Sequence, residues 1–139
     1  MRLNEGQARD RFAGARVARL ATVTPEGRPH LVPIVFAVTG DIVYTAVDAK
    51  PKSTTALRRL ANIDANPEVA VLTDFYDEDW TRLWWVRAEA VASIVTGESA
   101  RTGIERLTVR YPVYQKEPPP GPVLALEVTR WSGWSAGPI

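Results

Sequence analysis

Residues Arg16–Ala46 read RVARLATVTPEGRPHLVPIVFAVTGDIVYTA. Arg16–Val23 alternates, with Val17, Leu20 and Val23 separated by small residues, and predicts a strand. Thr24-Pro25-Glu26-Gly27 has Pro at the second and Gly at the fourth position of a turn. Arg28–Val38 is then a second strand, almost wholly apolar after His30. Pro33 cannot donate to a ladder, so it implies either an edge position or a gap in the ladder at that residue. Thr39-Gly40-Asp41 is a tight turn and Ile42–Ala46 a third strand. Three strands joined by two short turns predict an antiparallel meander.

Moving outward, Asn4 followed three residues later by Gln7 is a capping box for a helix over Glu5–Gly14, with Ala8, Phe12 and Ala15 on one side. After the meander, Ser53-Thr54 can cap a helix that runs to Asn66 and carries Leu57, Leu60 and Ile63–Ala65 as its apolar stripe. Asn66-Pro67 stops it. Val69–Thr73 predicts a short buried strand, Asp74–Asp79 an acidic loop and Arg82–Val95 a long strand. Thr96-Gly97 is a turn. Glu98–Arg110 predicts a third helix with Ile104, Leu107 and Val109 near one face, ended by Tyr111-Pro112. Pro118–Pro122 is an extended connection, and Val123–Trp131 a last alternating strand. Hairpin-connected strands in this number exclude a doubly wound parallel sheet. They fit a mainly β (α+β) single domain over 1–139, a six-stranded antiparallel barrel, closed or partly open, with peripheral helices.

Composition narrows the chemistry. The 139 residues contain no Cys and one His, which excludes disulfide scaffolds, thiolate zinc sites, iron–sulfur clusters, Cys nucleophiles and multi-His metal sites. A net charge of +1 gives no polyelectrolyte argument for nucleic acid or a membrane surface. The longest apolar run, Leu31–Val38, is far short of the roughly 20 residues that a membrane span needs. Met1–Gly6 lacks the apolar core of a secretory signal, so a cytoplasmic location is expected. An enzyme of this composition would borrow its reactive group from a cofactor.

Ala49-Lys50-Pro51-Lys52-Ser53-Thr54-Thr55 follows a strand and opens a helix. Free helical N–H groups, two ammonium groups and several hydroxyls there form a candidate phosphate seat, though not a Walker loop. The same residues also suit a capped helix with two solvated lysines. Leu31–Phe36 could lay backbone along a flat ring where Pro33 breaks the ladder, or could be plain barrel core. In Trp84-Trp85-Val86-Arg87, alternation puts Trp85 and Arg87 on one face, where an indole and a guanidinium could wall a pocket. Core or dimer interface are the alternatives. His30, near a turn, suits a surface position. Asp74, Asp77, Glu78 and Asp79 lack the ligand spacing of a calcium loop. Trp131 and Trp134 in the tail either pack on a partner subunit or cover a ligand.

Arg16–Val23, Gly27–Pro33, Lys50-Pro51-Lys52, Leu57–Leu60 and Asn66–Leu72, in this order, resemble the pyridoxamine 5′-phosphate oxidase-like split β-barrel superfamily. Within it the chain is most similar to the F420-dependent flavin/deazaflavin oxidoreductases common in actinobacteria, and Gly121–Val123 with Arg130–Ala136 resembles a mycobacterial-type subgroup. The resemblance implies an FMN-binding-like split barrel and a homodimer with two cofactor sites at its interface. It implies that Lys50 and Lys52, with Ser53 and Thr54, hold the cofactor phosphate. Val32, Pro33 and Ile34 would give backbone contacts to the ring. Trp85 and Arg87 would point side chains at it, and Trp131 and Trp134 would approach from the other subunit. The chain departs from the oxidase itself in its Lys at the first basic position and in Trp84 and Trp85, which replace polar residues.

The activity so implied is hydride transfer from reduced coenzyme F420 to an unsaturated small molecule. The alternatives are an FMN-dependent oxidase or reductase and a non-catalytic cofactor- or haem-binding protein. Lys50, Lys52, Arg58, Arg59 and Arg87 would meet the cofactor's negative charge. A proton could come from water, a backbone amide, Tyr111 or Tyr114.

Overall fold

The computed structural model describes residues 1–47 and 54–138. Helix α1 (Glu5–Gly14) precedes strands β1 (Ala18–Val23), β2 (Pro29–Ile34), β3 (Ala37–Thr39) and β4 (Ile42–Ala46). Helix α2 (Thr54–Ala65), β5 (Glu68–Phe75) and β6 (Trp84–Val95) follow. The chain continues with α3 (Gly97–Arg110), α4 (Pro112–Lys116) and β7 (Val123–Ser135).

All seven strands lie in one sheet in the order β2-β1-β5-β6-β7-β4-β3, with every neighbouring pair antiparallel. This is the split barrel with peripheral helices that the pattern indicates, with one more strand than the six expected. The extra strand arises because Arg28–Val38 is two strands. It breaks at Val35-Phe36, and β2 and β3 occupy opposite edges of the sheet. The expected three-strand meander is therefore not formed: β1 pairs β2, and β3 pairs β4, but β2 does not pair β3. Two residues bridge three Cα steps, so the two edges lie within about 11 Å of each other. The sheet curls almost into a closed barrel and stays open along this seam. Pro33 sits on an edge strand, as its missing N–H requires.

Local chemistry sets the ends of the elements. Asn4 accepts from Gln7 N at 2.8 Å while Gln7 Oε1 accepts from Asn4 N at 3.0 Å, the reciprocal capping box that starts α1. The β1–β2 turn closes with Gly27 N donating to Thr24 O at 2.8 Å, and Gly27 takes φ of 83°, which a Cβ would disfavour. Asn66 Oδ1 accepts from Glu68 N at 3.0 Å as the chain leaves α2 for β5. Helix α4 is not indicated by the sequence reading. It forms because Pro112, at its first position, needs no N–H partner there.

The core faces inward from alternate strand positions and from α1. Phe12, Phe36 and Trp131 form its aromatic centre, with Phe12 4.8 Å from Phe36 and 5.3 Å from Trp131 between ring centroids. A second cluster packs α3 and α4 through Leu107 and Tyr114 on Tyr44 and Val123. Val109 does not join it and is exposed, so the apolar face of α3 is narrower than the spacing suggests. Gly103 marks the tightest point: a Cβ there would lie 2.7 Å from Val123 Cγ1.

Strand β7 runs past the expected end at Trp131 to Ser135, through a bulge. Glu89 pairs with Arg130 and Ala90 with Val128, leaving Thr129 unpaired. Its hydroxyl donates to Glu89 O at 3.1 Å. Before the bulge, Leu124 and Leu126 are buried; after it, Trp131, Gly133 and Ser135 are. The extra residue inverts the alternation. Were the strand regular through Thr129, Arg130 would point into the core and Trp131 out of it.

Candidate functional site

The outer face of the sheet is built from residues that alternation turns away from the core. Strand registers align Pro33 (β2), Arg19 (β1), Leu72 (β5), Arg87 (β6) and Ser132 (β7) in one row. At the usual strand spacing, Pro33 and Ser132 are about 19 Å apart across four steps. The residues that the sequence grouped around one ring therefore fall into two places on a single chain. At the β2 edge, Val32 and Ile34 bury their side chains, while Pro33 and Leu31 face outward. Three strands away, on β6, lie Trp85 and Arg87, and four strands away, on β7, lies Trp134.

That second place is a cleft of about 520 Å³ between β6, β7 and the N-terminal residues. Trp85 and Trp134 are register partners and form one wall. The Arg87 guanidinium lies 5.6 Å over the Trp85 ring. Arg130 and Ser132 continue the same face of β7. Arg2 forms a bridge with Trp134, and Leu3 N donates to Gly133 O at 3.0 Å, so residues 1–3 run alongside the end of β7. The Met1 ammonium donates to Ser135 O at 2.6 Å. Gly133 allows this approach, because a Cβ there would meet Trp85 O at 2.9 Å and Leu3 Cδ1 at 3.1 Å. The cleft is cationic: Arg2, Arg87 and Arg130 face one carboxylate, Glu5. Ser132 Oγ is buried without a hydrogen-bond partner.

Trp131 also lines the cleft, but it alternates to the inner face of β7 while Trp134 lies on the outer one. It is 6% exposed, edge-on to Phe12, and its Nε1 donates to Asp41 Oδ1 at 3.0 Å. Asp41 also accepts from Arg9 at 3.3 Å. The hydrogen bond from Trp131, with that from Arg9 and its charge, holds the Asp41 carboxyl below its ordinary value against partial desolvation. Trp131 thus ties the β3–β4 turn to the core. Lys50, Lys52 and Ser53 lie outside the described residues, and of Thr54 only its place at the start of α2 is described.

Other candidates resolve individually. The Tyr111 hydroxyl is engaged by backbone, accepting from Phe36 N at 3.1 Å, with the carbonyls of Phe36 and Arg16 at 2.8 and 3.0 Å. Tyr114 is buried in the second cluster. Neither presents a free hydroxyl to the cleft. Arg110 beside them donates to Phe36 O at 2.9 Å and to Ala15 O, and burial pushes its guanidinium below the ordinary value. Arg58 lies in another cleft, with Thr24, Arg28 and Asn62. The acidic loop is internally satisfied: Asp77 pairs with Arg82 at 3.1 Å and Asp79 accepts from Thr81 N at 3.0 Å. No group of acids or His able to hold a metal ion occurs among the described residues. No helix among them is long and apolar enough to cross a membrane.

Arg2, Arg130 and Ser132 are cleft residues that the sequence reading misses. Their signal is a conflict of phase. Continuing the alternation Leu124, Leu126, Val128 would bury Arg130, so a bulge near Thr129 is needed.

The profile of the family described as pyridoxamine 5′-phosphate oxidase matches residues 5–135. No curated protein matches the chain. Among solved structures, a conserved hypothetical protein of Mycobacterium tuberculosis is similar at 24% identity and a TM-score of 0.77, covering 96% of this chain and 86% of its own. An FAD-binding protein of Mesorhizobium loti is similar at 18% identity and a TM-score of 0.74, covering 96% of this chain and 93% of its own. A haem storage protein of Vibrio cholerae reaches 18% identity and a TM-score of 0.71, covering 96% of this chain and 95% of its own. At these identities the likenesses establish the split-barrel fold.

Proposed function

This chain belongs to the pyridoxamine 5′-phosphate oxidase family, and we propose that it is an oxidoreductase that binds coenzyme F420 between two copies and passes a hydride to an unsaturated small molecule. The observation that carries this reading is the division of the outer face into two unlike halves about 14–19 Å apart along the sheet. One half, at the β2 edge, offers backbone and the apolar Leu31 and Pro33. The other offers two indoles and three guanidinium groups. One ring cannot touch both on a single chain, whereas a second copy packed against this face can bring its own Trp85, Arg87 and Trp134 to the first copy's β2 edge. The residues suit the border of a planar, anionic cofactor, with aromatic walls and guanidinium groups of which Arg2 and Arg87 have no ion pair among the described residues.

When bound, the deazaflavin supplies the hydride; the chain supplies position and electrostatics. Lys50, Lys52, Ser53 and Thr54 would hold phosphate at the start of α2. The backbone of Val32, Pro33 and Ile34 would lie along the ring. Trp85 and Trp134 would exclude water, and Arg87 would offset negative charge. Trp131 acts indirectly, by fixing the turn at Asp41. Because backbone groups occupy the Tyr111 hydroxyl, solvent water or a backbone amide is the proton source in this reading.

Titrating the apoprotein with coenzyme F420, FMN, FAD and haem tests the proposal. Saturable binding of coenzyme F420, weakened by Lys52→Ala by ~1.5–3 kcal/mol, supports it. Binding of FMN or FAD without coenzyme F420 would make the chain a flavin enzyme instead. The similarity to the V. cholerae haem storage protein favours a second reading, a non-catalytic haem carrier. Tight haem binding with no hydride transfer to enones or quinones would establish that one.

A further inference from the structure

We propose that the cleft between β6, β7 and residues 1–3 is a seat for a planar organic acid, with Arg87 and Ser132 taking its carboxylate and Trp85 and Trp134 its flat hydrocarbon part. That the acid is the substrate of this site rests on the hydride-transfer reading above; the seat itself does not.

Arg87 and Ser132 are directly opposed in register, so their Cβ atoms lie about 5 Å apart on one face. One carboxylate can therefore accept from both. Ser132 Oγ has no partner, and a hydroxyl in that state gains a full hydrogen bond from an acceptor oxygen. Arg2 and Arg87 have no ion pair among the described residues. Arg130 pairs with Glu89 only at 3.8 Å, between side chains that are 68% and 47% exposed, which holds it weakly. Cationic capacity thus exceeds what Glu5 and Glu89 neutralise.

The indoles fix the rest of the ligand. Trp85 and Trp134 are the next register pair on the same face, two residues along each strand, which is about 7 Å from the Arg87–Ser132 pair. An acid whose ring or conjugated chain starts one or two bonds from the carboxylate spans that separation and lies against aromatic surface. A small inorganic anion would leave the indole wall unused, and a neutral aromatic would leave the guanidinium and hydroxyl unpaired. Substrate acids held here would sit beside the ring that the partner's β2 edge carries in the dimeric reading.

Calorimetric titration of the full chain with trans-cinnamate, trans-cinnamamide and inorganic phosphate tests the seat. Cinnamate is expected to bind at least about tenfold more tightly than either comparison. Arg87→Gln should weaken it about tenfold or more, Arg87→Lys less, and Ser132→Ala severalfold, with unchanged melting as the check on folding. Equal binding of cinnamate and its amide overturns the carboxylate assignment. Equal binding of phosphate overturns the aromatic one, and no binding overturns both. Displacement of cinnamate by bound coenzyme F420 or FMN assigns the cleft to the cofactor and overturns the proposal. Cofactor binding on the same samples separates the two claims: cinnamate bound without any cofactor bound removes the hydride-transfer reading and leaves the seat standing.

Discussion

The Tyr111 hydroxyl oxygen lies 3.1 Å from the Phe36 amide nitrogen and 2.8 Å from the Phe36 carbonyl oxygen, engaging both polar groups of one residue at the barrel seam. Phe36 is where the chain crosses from one sheet edge to the other, so neither ladder can satisfy it. Its carbonyl takes a second donor from Arg110 at 2.9 Å. Tyr111→Phe is expected to destabilise the fold by about 1–3 kcal/mol, because it strands the Phe36 N–H while leaving ring packing in place. Urea unfolding at neutral pH measures this; a loss within error would show that water replaces the hydroxyl.

Asp41 should make stability depend on acid. Its folded carboxyl titrates below its unfolded value, first through the bond from Trp131 and also through Arg9. Such a group contributes stability that is complete above the unfolded value near 3.8 and is lost as pH falls through the folded value. Melting temperature followed from pH 6 downward should therefore drop less steeply in Asp41→Asn than in the parent below about pH 4. Parallel curves would remove Asp41 from the acid transition.

Two helical glycines should respond in opposite senses to alanine. At Gly103 the new methyl would meet Val123 Cγ1 at 2.7 Å and Tyr44 Cδ1 at 2.9 Å, and overpacking of about 1–3 kcal/mol should outweigh the gain in helix propensity. At Gly14 nothing lies within 4 Å, so the propensity gain of up to about 1 kcal/mol should remain. Paired thermal melts decide this, and destabilisation by Gly14→Ala would count against it.

The tail tryptophans should separate by function. Trp131→Ala opens a core void beside Phe12 and removes the donor to Asp41, at about 3–5 kcal/mol. Trp134→Ala, at a side chain 40% exposed, should cost under about 1 kcal/mol and instead weaken binding in the cleft. Deleting Thr129 should cost less than Trp131→Ala, since it removes the bulge yet leaves Arg130 outward and Trp131 inward. Equal melting of the two alanine variants would refute the division.

What could be read in advance follows from the range of the interaction. The Asn4–Gln7 capping box and the turns at Gly27, Gly40 and Gly97 depend on residues at most a few positions apart, and all form where the sequence places them. The edge position of Pro33 is legible because an absent N–H is a local fact. The break at Val35-Phe36 is not, because it is fixed by Tyr111 and Arg110, more than 70 positions away. The separation of Pro33 from Trp85 on one chain is hidden for a related reason. Sequence order says nothing of strand order, and two strands, β1 and β5, lie between β2 and β6. Arg130 was legible in principle, since a guanidinium on a buried phase signals a bulge.

The seam has a mechanical consequence. Along it, no ladder of paired strands joins β2 to β3; Val35-Phe36 spans the gap and Tyr111 and Arg110 pin it. The barrel is thus a spring clip rather than a ring. Opening the seam would break no row of inter-strand bonds, only the contacts that Tyr111 and Arg110 make to Phe36. Amide exchange at Phe36 should accordingly be faster than at Val71 or Val86, which are held in the central strands, and should quicken first in Tyr111→Phe.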